Sequence, residues 1–129
     1  MILRTWNLSK VRQVSGKCFS TPLIKGRRVY VGSNDGKLYA IDAASGKVAW
    51  TYNTGSKVKS KAAATGNLII VTGGKKVMAL DRAGGKLQWV YTFQKEVKTS
   101  ATVSGNDIFV GLDNGEIASV KNSLIQTFR

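Results

Sequence analysis

The sequence repeats itself with a period of about 39 residues. Trp50 and Trp89 are 39 positions apart, and Phe128 follows Trp89 at the same distance. Asp42 and Asp81 are also separated by 39 residues. The same cycle is marked by glycines at positions 26, 66 and 105. Self-similarity at a fixed period of this length is typical of solenoids and propellers, in which each unit packs against its neighbours.

Each cycle contains four short segments rich in β-branched and aromatic residues, bounded by Gly, Asn, Asp and Ser, and no helical period is present. The predicted strands are residues 20–24, 28–32, 37–41, 48–52, then 60–65, 68–72, 76–80, 87–91, and finally 100–104, 107–111, 116–120 and the weaker 124–128. Four short strands in a cycle of this length predict one blade of a β-propeller. We therefore predict an all-β fold, a partial β-propeller of three four-stranded antiparallel blades.

One motif joins the third and fourth strands of the first two cycles. Residues 40–50 and 79–89 both fit the pattern A-x-D-x-x-x-G-K-x-x-W. Its fixed positions are Ala40, Asp42, Gly46 and Trp50 in the first cycle and Ala79, Asp81, Gly85 and Trp89 in the second. An Asp that opens a tight turn accepts backbone N–H groups, and a Gly four residues later tolerates the left-handed conformation that ends the turn. We interpret these eight residues as structural; the alternative is that the indoles are exposed and stack on a ligand.

The motif resembles the tryptophan-docking motif of PQQ-like (quinoprotein-type) β-propeller repeats. The resemblance implies that each Trp clasps the adjacent blade, and it covers residues 20–128. Residues 4–8 look like the last strand of a preceding blade. The third cycle departs from the pattern, because Lys121 stands at the Asp position and Phe128 at the Trp position. The predicted organisation is one partial propeller domain over 1–129, with a leading strand in 1–9 and blades at 20–55, 60–94 and 99–128.

The residue inventory offers little for catalysis. The chain contains no His and a single Cys, so a Ser-His-Asp triad and a zinc site built from several cysteines are excluded. Enzymes of the resembling family hold pyrroloquinoline quinone and calcium at the centre of a complete ring, often against a pair of adjacent cysteines. We predict no catalytic, cofactor-binding or metal-binding residues and no cofactor, so the chain is not expected to be an enzyme. A fragment of a PQQ-dependent dehydrogenase remains an alternative, and the non-enzymatic outer-membrane-assembly lipoproteins are the relatives that the resemblance favours.

The chain is strongly basic, with 20 Lys and Arg against 7 Asp and Glu. In a propeller the turns between the second and third strands share a face with the connections between blades. The lysines expected on this face are Lys37, Lys57, Lys59, Lys61, Lys75, Lys76, Lys95 and Lys98. An acidic protein partner could use this face of a scaffold. The alternatives are weak nonspecific binding of a polyanion such as nucleic acid and protection of strand edges by Lys.

Three blades cannot close a ring, because propellers have 4–8 blades and each one packs against two neighbours. We therefore expect either a homo-oligomer, most simply a homodimer with six blades, or a part of a longer propeller. No segment approaches the ~18–20 apolar residues of a transmembrane helix, and the first residues lack the apolar core of a signal peptide. The family resemblance suggests a periplasmic or other extracytoplasmic location for the full-length protein.

Overall fold

A computed structural model describes residues 16–17 and 20–121 of the chain. The described part contains β-strands and no helix, which confirms the predicted all-β class. The strands of the first sheet are β1 (Leu23–Lys25), β2 (Arg28–Gly32), β3 (Lys37–Asp42) and β4 (Val48–Asn53). Those of the second sheet are β5 (Ala63–Thr65), β6 (Leu68–Gly73), β7 (Lys76–Asp81) and β8 (Leu87–Thr92). The third sheet contains β9 (Thr102–Ser104), β10 (Asp107–Gly111) and β11 (Ile117–Lys121).

Each sheet is an antiparallel meander in which the strands lie in chain order. The predicted fourth strand of the third sheet, residues 124–128, lies outside the described residues, as does the predicted leading strand in 1–9. The domain and blade boundaries stay predictions for the same reason.

The first strand of each sheet begins later than the sequence predicted. Strand β1 starts at Leu23, whereas the predicted segment started at Ser20. Pro22 has no N–H to donate to a ladder, and the hydroxyl of Ser20 already accepts a hydrogen bond from the Gly32 N–H at 2.7 Å. The chain before β1 is therefore fixed by a side chain, and the ladder of backbone hydrogen bonds starts only afterwards.

Two-residue turns connect the first and second strands of all three sheets. In the first sheet Lys25 pairs with Arg28, which leaves Gly26 and Arg27 as the turn. Gly26 has φ of 63°, and the equivalent glycines at 66 and 105 have 55° and 58°. A Gly at the first central position is the requirement of a type II′ hairpin turn, because φ is positive there. This explains the glycine spacing in the sequence.

The hydrophobic core consists of two layers, one on each side of the second sheet. Alternate residues of β6 and β7 face opposite sides: Ile69 and Met78 pack in the cluster shared with the first sheet, and Ile70 and Val77 pack in the cluster shared with the third. All four side chains are buried. Burial on both faces explains why these two strands are continuous apolar runs and do not alternate with polar residues.

Candidate functional site

The side chain of Trp50 joins the first sheet to the second. It projects from β4, is only 8% exposed, and belongs to the cluster between the two sheets. Its indole N–H donates a hydrogen bond to the main-chain carbonyl of Arg82 at 3.0 Å. The indole also lies directly on Gly85, where a Cβ atom would be 3.0 Å from Cγ of the ring and closer still to two other ring carbons. The first copy of the motif thus contacts the second copy in the neighbouring sheet.

A bulge in the β3–β4 ladder accompanies this contact. Ala40 pairs with Trp50 and Ile41 pairs with Val48, so Ala49 is an extra residue in β4. The same shift follows the Ala79–Trp89 pair in the second sheet. Ala40 and Ala79, which face the two tryptophans, are both fully buried. Directly opposite residues have Cβ atoms about 4.5–5.5 Å apart, and we attribute the small residue in the motif to the space that the facing indole requires.

The turn that receives Trp50 is held by its own backbone hydrogen bonds. The N–H of Gly85 donates to the Asp81 carbonyl at 2.7 Å, and the N–H of Asp81 donates to the Lys86 carbonyl at 2.7 Å. The carboxylate of Asp81 accepts a longer bond from the Gly84 N–H, at 3.3 Å. Gly85 has φ of 75°, a left-handed conformation that other residues adopt at a cost. The docking surface for the indole is therefore a rigid turn.

Asp42 caps the equivalent turn of the first sheet more tightly. Its Oδ1 accepts hydrogen bonds from the N–H groups of Ala44 at 2.9 Å and Ser45 at 2.8 Å. The bond from the Ser45 N–H lowers the pKa of this carboxyl most, and the nearby Arg27 guanidinium contributes in the same direction. The ionised form is the one that holds the turn.

Trp89 occupies the second copy of the same position but is only half-buried, within the cluster between the second and third sheets. The motif positions of the third repeat that correspond to Arg82 and Gly85 lie beyond Lys121, outside the described residues. The contact that Trp50 makes with Arg82 and Gly85 therefore has no described counterpart for Trp89.

One hydroxyl contact of the same kind precedes the first strand of each of the three sheets, and the sequence did not predict these contacts. A Ser or Thr three positions before the first strand contacts the second strand 12 positions later: Ser20 contacts Gly32, Ser60 contacts Thr72, and Thr99 contacts Gly111. Within the second and third sheets the distances are 2.5 Å between the Ser60 and Thr72 hydroxyls and 2.8 Å from the Gly111 N–H to the Thr99 hydroxyl. We call these three pairs the hydroxyl clasps. Their signal in the sequence is a Ser or Thr at the 39–40-residue period.

Only three of the eight lysines predicted to share a face line one cleft. Lys57, Lys59 and Lys98 line a cleft of about 570 Å³ at the end of the sheets where the connections between sheets meet the second-to-third-strand turns. Lys76 lines a separate groove. The other predicted lysines, Lys37, Lys61, Lys75 and Lys95, do not line this cleft.

We call this site the lysine cleft. The segment that carries Lys57 and Lys59 along it is held in place by Val58. Val58 is completely buried between exposed Lys57 and Lys59. Its N–H donates to the Ser33 carbonyl at 3.2 Å, and it packs so closely on Gly32 that a Cβ atom there would overlap it. Lys98 is paired with Glu96 at 3.1 Å, which raises the pKa of the ammonium group through a hydrogen bond and the opposite charge. Neither Lys57 nor Lys59 forms a salt bridge with a described residue.

The described residues do not offer a metal cluster for the calcium ion of the resembling enzymes. Within residues 16–17 and 20–121, no group of three or more His, Cys, Asp or Glu side chains could hold a metal ion. Cys18 is the only cysteine of the sequence, so no adjacent pair exists. In the part of the chain that the structure describes, no helix has the length and hydrophobicity needed to cross a bilayer.

Comparison with known proteins identifies the architecture. A family model described as outer membrane protein assembly factor BamB, of the PQQ-like type, matches residues 53–123, which is more than half of the chain. The crystal structure of BamB from Moraxella catarrhalis superposes with a TM-score of 0.78 at 21% identity, over 92% of this chain and 38% of that one. No curated protein sequence matches.

Dehydrogenases share the same architecture. The quinohemoprotein alcohol dehydrogenase from Comamonas testosteroni superposes with a TM-score of 0.72 at 21% identity, over 82% of this chain and 19% of that one. A europium-containing methanol dehydrogenase gives 0.72 at 18% identity, over 83% of this chain and 24% of its own. The chain thus spans less than two fifths of each of these proteins. These likenesses concern the fold, and they confirm that the three packed sheets are blades of a partial β-propeller.

Proposed function

Because the chain belongs to the PQQ-like β-propeller repeat family described as outer membrane protein assembly factor BamB, we propose that it is a noncatalytic scaffold for protein–protein interaction. That family is named for an assembly factor, and a protein of that kind acts by contact with other proteins. The lysine cleft is the observation that carries the proposal for this chain.

The partner surface that this cleft fits is an acidic segment. Lys57 and Lys59 project from a backbone that the buried Val58 holds in place, so little order is lost when a partner binds. The two ammonium groups are exposed, and no described carboxylate neutralises them. Charges arranged in this way steer association and select partners of opposite charge. The Lys98–Glu96 pair also lines the cleft, so a bound acidic segment would face one carboxylate beside the lysines.

A binding experiment tests this proposal. The probe is a fluorescein-labelled polyglutamate peptide, and fluorescence anisotropy measures its affinity for the wild type, for Lys57→Ala/Lys59→Ala, and for Lys47→Ala/Lys86→Ala. The last pair is a matched control, because it removes the same charge from the third-to-fourth-strand turns at the opposite end of the sheets. We expect the first variant to lose about tenfold in affinity or more, which corresponds to about 0.7 kcal/mol or more per lysine, and the control to stay close to wild type.

The polyanion alternative is separated by a second probe in the same experiment. A DNA duplex that binds as tightly as the peptide, with equal losses in both double variants and a steep decrease with salt, would indicate nonspecific attraction by the net charge of +13. Equal losses for the peptide in the two variants would contradict the proposed cleft.

The structural likeness to quinohemoprotein alcohol dehydrogenase favours the alternative that this chain is a piece of such an enzyme. Titration of the protein with pyrroloquinoline quinone and Ca²⁺, followed by absorbance, distinguishes a scaffold from a dehydrogenase fragment. The scaffold proposal expects no saturable change in the quinone spectrum. Saturable binding that requires Ca²⁺ would favour the dehydrogenase fragment.

The third sheet carries a face that the propeller leaves open. Phe109 and Ile117 occupy the positions that Ile70 and Val77 hold in the second sheet, according to the strand pairing. Ile70 and Val77 are fully buried, whereas Phe109 is 38% and Ile117 is 80% exposed. We propose that another blade covers this face in the working protein, either from a second copy of this chain or from a longer chain. The scaffold would then be a closed ring. The likeness to the BamB family supports an extracytoplasmic location for it.

A further inference from the structure

A second cleft lies between the first two sheets, at the end opposite the lysine cleft. Its volume is about 440 Å³, and it is formed by the first-to-second-strand turns and by the turn that receives Trp50. Four cationic side chains line it, namely Lys25, Arg27, Arg28 and Arg82, together with the carboxylates of Asp42 and Asp81. We call it the arginine cleft. Cations are therefore in excess of carboxylates by two.

The carboxylates of the arginine cleft are already engaged by backbone groups. Asp42 accepts from Ala44 and Ser45, and Asp81 accepts from Gly84, so both belong to their turns. No described salt bridge includes a cation of the cleft. The excess positive charge is thus available to an anionic ligand.

Arg28 is fixed across the boundary between the sheets. Its Nη1 donates to the carbonyls of Arg82 at 2.7 Å and Ala83 at 2.9 Å. The Arg82 carbonyl also accepts the indole N–H of Trp50. The guanidinium is consequently held at a defined place at the boundary between two packed sheets, as preorganised recognition requires.

The wall of the cleft contains a buried hydroxyl that has no hydrogen-bond partner among residues 16–17 and 20–121. Tyr30 lines the cleft, exposes no surface to solvent, and packs against Trp50 with ring centroids 5.8 Å apart. Its OH makes no hydrogen bond to any residue that the structure describes. Buried polar groups are normally paired, and a bound ligand with an acceptor oxygen would satisfy this one.

The repeat provides an internal comparison for this group of residues. The positions of Arg27, Arg28 and Tyr30 are held by Asn67, Leu68 and Ile70 in the second repeat and by Asn106, Asp107 and Phe109 in the third. All three repeats form the same first and second strands and the same two-residue turn between them. The fold therefore does not require two arginines and a tyrosine here, so a separate explanation is needed for the first repeat.

We propose that the arginine cleft binds the phosphate group of a small phosphate monoester. Guanidinium groups pair with phosphate oxygens in a fork geometry, and the Tyr30 hydroxyl would donate to a third oxygen. Arg27, Arg28 and Tyr30 would supply donors from three residues. Such a set matches the three terminal oxygens of a phosphate monoester better than the two oxygens of a carboxylate. Because the hydroxyl has no accessible surface, binding includes a side-chain movement that uncovers it.

Calorimetric titration of the full chain with glycerol phosphate, inorganic phosphate and acetate tests the proposal. We expect saturable binding of glycerol phosphate, weaker binding of inorganic phosphate and none of acetate. Arg27→Ala should raise the dissociation constant about tenfold or more and Tyr30→Phe about fivefold. Lys47→Ala, which removes one positive charge from a nearby residue that does not line the cleft, should bind like the wild type.

Thermal unfolding keeps the test independent of folding defects. Without phosphate, Tyr30→Phe should unfold at the same temperature as the wild type or higher, because it no longer buries an unpaired hydroxyl. With phosphate, the wild type should gain more in unfolding temperature than the variant, since ligand binding stabilises the native state. Binding of acetate as tight as that of phosphate, or unchanged phosphate binding by both Arg27→Ala and Tyr30→Phe, would overturn the proposal.

Discussion

The indole of Trp50 lies on the backbone of Gly85, in the turn between β7 and β8 of the neighbouring sheet. The two residues are 35 positions apart and belong to successive copies of one motif. The Trp of one repeat thus uses the Gly of the next repeat as its docking surface. The positive φ of Gly85 allows the chain to make the turn, and the absence of a side chain leaves room for the indole of the neighbouring sheet.

Replacement of Gly85 by Ala should therefore lower the free energy of unfolding by more than the loss of a positive-φ glycine alone would. We expect Gly85→Ala to lower the free energy of unfolding by about 3–4 kcal/mol, from the left-handed backbone and the overlap with the indole together. Gly66→Ala is the matched control, because Gly66 also has positive φ but a Cβ there meets no atom within 4 Å. Gly66→Ala should lower the free energy of unfolding by about 1–2 kcal/mol. Equal losses in urea denaturation would show that the indole contact contributes nothing.

The two tryptophans of the motif should differ in their contributions. Trp50→Ala removes a buried side chain and leaves a cavity between the first two sheets, so we expect a loss of about 3–5 kcal/mol in unfolding free energy. Trp89 is half-buried, and Trp89→Ala should cost roughly 2 kcal/mol or less. Denaturant unfolding followed by circular dichroism measures both. A larger loss for Trp89 would contradict the order of burial.

A hydroxyl clasp can be tested at Ser20. Ser20→Ala removes the acceptor of the buried Gly32 N–H, so we expect a loss of about 1–3 kcal/mol and faster amide hydrogen exchange at Gly32. Ser104→Ala, at an exposed position in β9, should have almost no effect on either measurement. Unchanged exchange at Gly32 in Ser20→Ala would show that the clasp does not protect this amide.

Much of the architecture could be predicted from the sequence because it is local. Strands, turns and the spacing of Asp42, Gly46 and Trp50 depend on residues within one repeat. The hydroxyl clasps and the arginine cleft were missed for a different reason. Ser20 finds Gly32 only after two strands have paired, and Arg28 reaches Arg82 across 54 positions, from one sheet to the next. The period reveals that repeats pack together, but it does not reveal which polar groups meet at each boundary.

The lysine face was predicted from alternation and topology, and its partial assembly has a physical cause. Lys57 and Lys59 lie on one connection and border the lysine cleft, whereas Lys61 follows them on the same connection without lining it. Its N–H is bound to the Ser100 hydroxyl at 2.9 Å, and that contact directs the chain toward the third sheet. Alternation along one segment predicts exposure, and contacts with other repeats decide which exposed residues share a surface.

The lowered pKa of Asp42 predicts a pH-dependent contribution to stability. Since the folded-state pKa lies below the unfolded value of about 3.9, the ionised carboxylate stabilises the fold above that value, and the contribution is lost as the pH falls through the folded-state pKa. Asp42→Asn should therefore weaken the dependence of unfolding free energy on pH in the acidic range, with little change in its slope near neutral pH. An NMR titration of the Asp42 carboxyl that gives an ordinary or raised pKa would refute the prediction.

The open face of the third sheet predicts association when the chain is studied alone. If a second copy covers Phe109 and Ile117, light scattering should give twice the monomer mass of 13.9 kDa at high protein concentration. Ile117→Glu places a charge in the centre of that interface and should restore the monomer, because an unpaired buried charge is strongly unfavourable. Val90→Glu is the control, since Val90 is an exposed apolar residue of β8, away from this face. A wild type that stays monomeric at every concentration would rule out a second copy and leave a further blade of a longer chain as the cover.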